Sequence, residues 1–218
     1  MTREGAVPSP SGRLGIGWAA WLGATLAVVV GLGTQGADHP TPFAVAHAYR
    51  AVVWAELAFI LALVPLFSAR PRGAGLADVV ALLALGGPAV AVGAWVSDAS
   101  LGQVAASQGY VVVAGAAVAG YLGADAGGRL RGWYWLTLGA AGAGGPFVAF
   151  IAEDLLGARV GWLRAVSPFW VADSLCVMER LAWRLVLPWA GLAVLAAVLL
   201  ALRARSELRA GRQAAGHV

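Results

Sequence analysis

The chain has 218 residues, of which 60% are hydrophobic and 12% are charged, and its formal net charge is +4. A soluble domain carries about twice this share of charged residues, so the composition excludes an ordinary water-soluble protein and indicates an integral membrane protein. The single cysteine, Cys176, excludes an internal disulfide.

Six apolar windows are long enough to cross about 30 Å of hydrocarbon as helices. In chain order they are Leu14–Gly33, Ala51–Ser68, Leu76–Val96, Tyr110–Gly123, Trp133–Ile151 and Leu181–Leu202. The fourth window is short, and its helix is expected to begin nearer Gln103. The apolar runs are continuous, whereas the strands of a membrane barrel alternate, so the sequence predicts an all-α polytopic membrane protein with six transmembrane helices.

The arginines predict the orientation of these helices. With both termini in the cytoplasm, ten of the fifteen arginines lie in inside segments and five lie outside, as the positive-inside rule requires. Residues 1–13 are then a cytoplasmic N-terminal segment, 14–202 the six-helix domain, and 203–218 a basic cytoplasmic tail. We expect the protein in the plasma membrane of a bacterial cell, in contact with the lipid bilayer.

Glu56 lies about six residues inside the second window, or roughly 9 Å from its end at the rise of an α-helix. A carboxylate within the membrane is costly, which makes a functional role the first interpretation. The alternative is that Arg50 or another external arginine pairs with Glu56 near the interface. The sequence leaves both interpretations of Glu56 open. For Glu179 and Arg184, at the sixth window, it leaves open the same choice between a functional role and an ion pair near the interface.

Two Gly-Gly-Pro triplets recur within predicted helices, in "LGGPAVAVGAW" (85–95) and "AGGPFVAFIAE" (143–153). Proline interrupts a helix, so Pro88 and Pro146 are interpreted either as paired hinges that line a path or as sites of close helix packing over small residues.

The stretch 153–179, between the fifth and sixth windows, mixes apolar and charged residues. This mixture predicts short amphipathic helices that lie in the outer interface or re-enter the bundle. Pro168 is expected to separate two such helices, with Ser167 or Asp173 available as a cap.

No motif for an enzyme is present: there is no phosphate-binding loop, no His-Glu-x-x-His and no Cys-x-x-Cys. We therefore expect no catalytic residue, no cofactor on this chain and no nucleic-acid partner. A metal site at His39 and His47 would need a third ligand, such as Asp38, and is not expected.

Three stretches carry a family resemblance. They are "LVPLFSARPRG" (63–73), "LGGPAVAVGAWVSDASLGQV" (85–104) with the exit "GADAGGRLR" (123–131), and "VSPFWVADSL" (166–175). Their order resembles the membrane subunit of ABC-2 type transporters, which has six spans and both termini inside. The resemblance implies a permease subunit that works with a separately encoded ATP-binding subunit carrying a P-loop, as a homodimer or heterodimer of permeases. It also implies export rather than import, with ATP bound by the partner.

The resemblance further implies roles for single residues. Candidates for transport and gating are Glu56, Pro88, Pro146, Ser167, Pro168 and Phe169, and candidates for contact with the ATPase are Arg70, Arg72, Arg129 and Arg131. The stretch "SARPRGAGLAD" (68–78) departs from the family, because it lacks the Glu-Arg and Gly-Thr residues of the coupling helix. The alternative is therefore a non-transporting membrane anchor or assembly subunit of a larger complex.

Overall fold

The computed structural model describes residues 10–34, 42–67, 74–124, 130–158, 160–177, 186–195 and 197–198. All regular structure in these ranges is helical, which confirms the all-α prediction for this part of the chain. Most of the predicted termini, 1–9 and 203–218, lie outside the described residues, as do Arg70, Arg72 and Arg129.

The helices are connected in chain order as follows. α1 is Pro10–Thr34 and α2 is Pro42–Ala58. A π-helical turn, Phe59–Leu63, joins α2 to α3, Val64–Phe67. α4 is Ala74–Val96 and α5 is Leu101–Ala124. α6, Arg131–Gly139, continues through a second π turn, Ala140–Gly144, into α7, Gly145–Phe150, and a third π turn, Ile151–Leu155. A 3-10 helix, Gly161–Val166, precedes α8, Pro168–Val177, and α9 is Val186–Leu195.

Four helices of the described chain are long and apolar enough to cross a membrane: His47–Leu66, Val79–Val96, Leu101–Leu122 and Arg131–Leu155. They coincide with the second to fifth predicted windows, which are thereby confirmed as membrane-compatible helices. The first window lies in α1, whose apolar part is described over Gly15–Ala27, and the sixth is described over Val186–Leu195. As spans these two windows stay predictions, and so does the orientation of the chain.

The fourth of the predicted helices begins well before its apolar window. It starts at Leu101, near the Gln103 that the sequence had offered as an alternative. Ser100 and Gln103 form a capping box: Gln103 N donates to Ser100 Oγ at 3.3 Å, and Ser100 N donates to Gln103 Oε1 at 2.8 Å. The polar residues that lower the hydropathy here therefore belong to the helix, and Ser107 among them is fully buried.

Pro65 makes a helix irregularity that a distant side chain repairs. Proline has no N–H, so the carbonyl of Leu61, four residues earlier, lacks its usual helical donor. The chain forms a π turn here, and the Tyr134 hydroxyl of α6 donates to Leu61 O at 2.5 Å. In an apolar bundle such a replacement donor must come from the protein.

Pro146 repeats this arrangement. It follows the second π turn, and the carbonyl of Gly142, four residues earlier, lacks its helical donor. The Ser167 hydroxyl donates to Gly142 O at 3.0 Å. Pro88, by contrast, lies exposed inside α4, which continues as a helix through it. The two Gly-Gly-Pro triplets are therefore not structurally equivalent.

Glycines allow α4 to approach its neighbours closely. A Cβ added at Gly93 would lie 2.9 Å from Val52 Cγ2 of α2, and a Cβ added at Gly115 of α5 would lie 2.6 Å from Val79 Cγ1 of α4. Contacts this short need a residue without a side chain, as is common between membrane helices. The helix Arg131–Leu155 lies at the edge of the bundle, since only 6% of its apolar window is buried.

The stretch 153–179 is described as two helices, Gly161–Val166 and Pro168–Val177, and its first residues belong to the preceding helix. The third π turn carries that helix to Leu155, so Glu153 and Asp154 are its last polar residues. Pro168 separates the 3-10 helix from α8, as predicted, and Ser167 caps α8 by accepting from Trp170 N at 3.4 Å. Asp173 does not act as a cap.

α8 packs into the bundle against α2 and α5. Its buried residues recur at helical spacing on one face: Pro168, Val171, Ala172, Leu175 and Cys176. On its polar side Asp173 accepts from Arg50 of α2 in a bidentate ion pair, with Arg50 Nε 2.7 Å from Asp173 Oδ1. Gln103 Nε2 of α5 donates to Val177 O at 3.3 Å. α8 is thus held at both ends, at its cap and at its last residue.

We expect Ser167→Ala to destabilise the fold by about 2–3 kcal/mol, because it removes a helix cap and leaves Gly142 O without its donor. Ser100→Ala is the matched control, since it removes only an exposed cap and should cost about 1 kcal/mol. Equilibrium unfolding of the two variants in mixed micelles measures the difference. Equal losses would show that the bond to Gly142 contributes nothing.

Cys176 reports whether α8 is docked. Burial raises the pKa of its thiol to about 12, whereas an exposed thiol has a value of about 8.5. At a pH between these two pKa values, the thiol forms a thiolate only when α8 is undocked, and the thiolate is the form that iodoacetamide attacks. Arg50→Gln is expected to accelerate labelling several-fold, because it releases α8. If α8 stayed docked, loss of the Arg50 cation alone would slow labelling.

The control for this labelling experiment is Arg164→Gln. Arg164 pairs with Glu153, at 2.6 Å, and not with α8, so its loss should leave the labelling rate of Cys176 unchanged. Slower labelling of the Arg50→Gln variant would show that the ion pair affects only the thiol's charge environment.

Candidate functional site

Glu56 lies near the middle of the candidate span His47–Leu66. It is nine residues after His47, which corresponds to roughly 14 Å along the helix axis. Its side chain is fully buried, with 0% of its surface exposed. The carboxyl group is therefore deeper than the 9 Å expected from the sequence, because the helix extends further towards the N-terminus than its apolar window.

One oxygen of Glu56 has a partner. Gln108 Nε2 of α5 donates to Glu56 Oε2 at 2.8 Å, whereas Glu56 Oε1 accepts no hydrogen bond from the residues that the structure describes. A neutral amide does not balance a charge. Burying an ionised carboxylate without a cation costs several kcal/mol in the interior of a protein or membrane, so this site needs either a proton or a positively charged partner.

The second interpretation of Glu56, an ion pair with Arg50 or another external arginine near the interface, is wrong for Arg50 and stays a prediction for the arginines outside the described residues. Arg50 binds Asp173, and its Nη1 lies 3.2 Å from His47 Nε2. Arg164, another arginine predicted outside, pairs with Glu153. Glu179 and the remaining external arginines, Arg159, Arg180 and Arg184, lie outside the described residues.

Gly86 provides the space for the Glu56 carboxyl group. A Cβ added at Gly86 would lie 2.5 Å from Glu56 Oε1 and 3.2 Å from Trp18 Cζ2. The first glycine of the Gly-Gly-Pro triplet in α4 is therefore required for packing. Trp18 of α1 is fully buried, and its Nε1 has no hydrogen-bond acceptor within the described part of the chain. An unpaired donor and an unpaired acceptor thus belong to side chains that both approach Gly86.

A cavity of about 330 Å³ lies at the end of the bundle where α2 and α5 begin, and we call it the mouth cavity. Its lining residues are Tyr49, Arg50, Ser97, Asp98, Ala99, Gln103, Cys176 and Val177. Polar side chains predominate, which distinguishes it from an apolar cavity of about 310 Å³ between α5, α6 and α9. Arg50 of the α8 ion pair, together with Gln103 and its partner Val177, forms part of its wall.

The inner side of the mouth cavity is formed by buried polar groups. Tyr49 N donates to Ser97 Oγ at 2.8 Å, and the Tyr49 hydroxyl lies 2.6 Å from Ser107 Oγ. Ser107 in turn donates to Gln103 O at 2.7 Å. The next residue after Ser107 is Gln108, the partner of Glu56. Polar residues of α5 therefore lead from the mouth cavity towards the partner of Glu56.

Ser167 and Phe169, on either side of Pro168, both contact Gly142 in the π turn that precedes Pro146. Ser167 supplies the hydrogen bond to Gly142 O, and the Phe169 ring lies 3.9 Å from the position of a Cβ at Gly142. Phe169 also contacts Trp54, with ring centroids 5.7 Å apart. The structure thus places the candidates Ser167, Pro168 and Phe169 beside the turn that precedes Pro146. Whether they gate transport stays a prediction.

Arg131 is exposed at the first residue of α6, and the other three candidates for ATPase contact lie outside the described residues. No group of three His, Cys, Asp or Glu side chains that could hold a metal ion occurs in the part of the chain that the structure describes.

Sequence reasoning missed most of the partners of Glu56. Gln108, Gly86, Trp18 and Tyr49 approach it or lead to it only in the folded chain. One signal was available: polar residues at 103, 107 and 108 fall at helical spacing within a candidate span, and a polar face inside a membrane helix is expected to point into the bundle.

Gly86→Ala and Gly87→Ala form a matched pair. We expect Gly86→Ala to destabilise the fold by about 1–3 kcal/mol, because its methyl group would overlap Glu56 Oε1. Gly87 has no atom within 4 Å of its Cβ position, so Gly87→Ala should be neutral or stabilise the helix by up to about 1 kcal/mol. Unfolding in mixed micelles tests this, and equal effects of the two changes would refute the close contact.

Comparison with protein-family models, with curated proteins and with solved structures finds no match to this chain.

Proposed function

We propose that this protein is a membrane permease, the membrane-spanning subunit of an ABC-2 type transporter that works with a separately encoded ATP-binding subunit. The observation that carries a transport function is the buried carboxyl group of Glu56. A subunit that only anchors other proteins has no use for a half-satisfied acid in mid-membrane, whereas a transport site needs such a group to bind and release a charge.

The ATP-driven form rests on the sequence resemblance in residues 63–73, 85–104, 123–131 and 166–175. In this proposal the end of the bundle that contains Phe67, Ala74 and Arg131 faces the cytoplasm, and the mouth cavity faces outwards. Two permease chains associate, as a homodimer or a heterodimer, and each contacts an ATPase through loops 69–75 and 124–132. Arg131 is the one described candidate for this contact, and it is exposed as the contact requires.

The proposed mechanism is alternating access. Closure of the ATPases moves the cytoplasmic loops, and the movement is absorbed where the helices are irregular, at the π turns before Pro65 and Pro146. At each turn the carbonyl that the proline leaves without a donor is bound by a single side-chain hydroxyl, from Tyr134 or from Ser167, and one such contact is exchanged more easily than a continuous helical ladder. The Ser167 contact couples the second π turn to α8 and so to the wall of the mouth cavity.

The test is co-purification from the native membrane. An affinity-tagged chain, solubilised in mild detergent, is expected to recover a P-loop ATPase that mass spectrometry identifies. Arg131→Gln should reduce the recovery. Arg164→Gln is the control, because Arg164 pairs with Glu153, near the opposite end of the helix Arg131–Leu155, and should leave recovery unchanged.

Recovery of a stable complex without an ATPase would contradict the ATP-driven form. It would favour the alternative function, a membrane anchor or assembly subunit. That alternative also predicts that Glu56→Gln leaves the function of the complex unchanged.

A further inference from the structure

We propose that Glu56 is a proton-binding site: it holds a proton in this conformation and exchanges it with the mouth cavity when the contact between α2 and α4 opens. The inference rests on the proposed transport function and names the ion that its buried acid binds. It follows from the partners of the two carboxyl oxygens, from the space beside them, and from the route to the mouth cavity.

The first argument is charge. The one described hydrogen-bond donor to Glu56 is the neutral Gln108 amide. Arg50, the described arginine on the same helix, is neutralised by Asp173. A carboxylic acid in this position has no charge to balance, whereas a carboxylate would be left uncompensated among apolar side chains.

The second argument excludes larger cations. Glu56 Oε1 packs against Gly86, which has no side chain, and the Trp18 indole, a donor and never an acceptor, packs against the same glycine. Sodium, magnesium and calcium ions need several oxygen ligands, and a protonated amine needs several acceptors and room for its carbon atoms. A position 2.5 Å from Oε1 already coincides with the Cβ site of Gly86. A proton needs one acceptor atom and no coordination shell.

The third argument is access. Glu56 lies seven residues after Tyr49, about 10 Å along α2, and Val52 lies between them on the same face of the helix. Val52 is fully buried, and Gly93 of α4 packs directly on it. Val52 therefore lies between Tyr49, which lines the mouth cavity, and Glu56. Withdrawal of α4 from α2 at this contact would admit water.

The proton transfer is then simple to balance. The O–H bond of Glu56 breaks, the proton passes to a water molecule that has entered from the mouth cavity, and the carboxylate remains bound to Gln108. Return of a proton from the water of the mouth cavity restores the acid before α4 closes again.

The surrounding titratable groups do not supply the missing charge. In the described elements packed around the site, the titratable groups are His47, Tyr49 and Arg50 of α2, Asp98 after α4, Tyr110 of α5, and Asp173 and Cys176 of α8. Asp173 and Arg50 neutralise each other, Asp98 is exposed at the rim of the mouth cavity, and α1 contributes Trp18, which does not titrate.

Infrared difference spectroscopy of the full-length protein in nanodiscs tests the site. At neutral pH we expect the C=O stretching band of a protonated, buried carboxylic acid, with its shift on transfer to D2O. Glu56→Gln should abolish the band, and Glu153→Gln, which alters an acid paired with Arg164, should retain it. Absence of the band in the unaltered protein, or its persistence in Glu56→Gln, would overturn the proposal.

The route is tested by the rate of that deuterium shift. Val52→Ala should accelerate it several-fold, because the side chain that separates Glu56 from the mouth cavity is shortened. Val79→Ala is the control, since Val79 is equally buried but packs against Gly115 and lies towards the opposite end of the helix from the mouth cavity. Equal rates in both variants would contradict the route through Val52.

These outcomes are independent of the ATPase. The band and its exchange are properties of the isolated chain, whereas the proposed ABC-type function is judged by co-purification. If the chain recovers an ATPase but lacks the band, the transporter proposal is retained and the proton site is refuted. If the chain shows the band but recovers no ATPase, the proton site is retained and the ATP-driven form is refuted. Glu56→Gln keeps an amide that can bond to Gln108, so an unchanged unfolding transition would show that loss of the band is not loss of the fold.

Discussion

A polar group inside an apolar bundle has no water to bind, so the protein itself must supply its partner. Three contacts between helices meet this demand. Tyr134 donates to the carbonyl that Pro65 leaves without a donor, and Ser167 does the same for the carbonyl affected by Pro146. Gln108 donates to one of the two carboxyl oxygens of Glu56. Each joins segments far apart in the sequence, so the same contacts that repair local defects also determine how the helices are arranged.

Glu56 departs from this rule, since one of its oxygens finds no donor among the described residues. Neither Gly86 nor Trp18 donates a hydrogen bond to this oxygen, and its close packing on Gly86 leaves little space for another group. Sites at which a protein tolerates an incompletely satisfied buried group are commonly sites of function. α8 extends the argument outwards, because its ion pair with Arg50 and its cap at Ser167 connect the wall of the mouth cavity to the second π turn.

The sequence predicted those features that depend on neighbouring residues. Hydropathy located four helices that the structure describes as membrane-compatible, and Pro168 with Ser167 predicted the break before α8. The start of the fourth predicted helix at Leu101 was missed by the apolar window alone, because its first turns carry the polar residues of a helix whose inner face binds other polar groups. Asp173 was taken for a possible cap, and its real partner, Arg50, lies 123 residues away.

By itself, then, the sequence determined that this is an apolar helical protein with an acidic residue deep in one helix and prolines inside two others, because these properties follow from composition and local spacing. Only the tertiary structure decided what those residues contact. Glu56 meets Gln108 rather than Arg50, and Gly86 of the first triplet packs against its other oxygen. The physical reason is that a buried polar group is stabilised by whichever partner helix packing brings within about 3 Å, and packing depends on the whole chain.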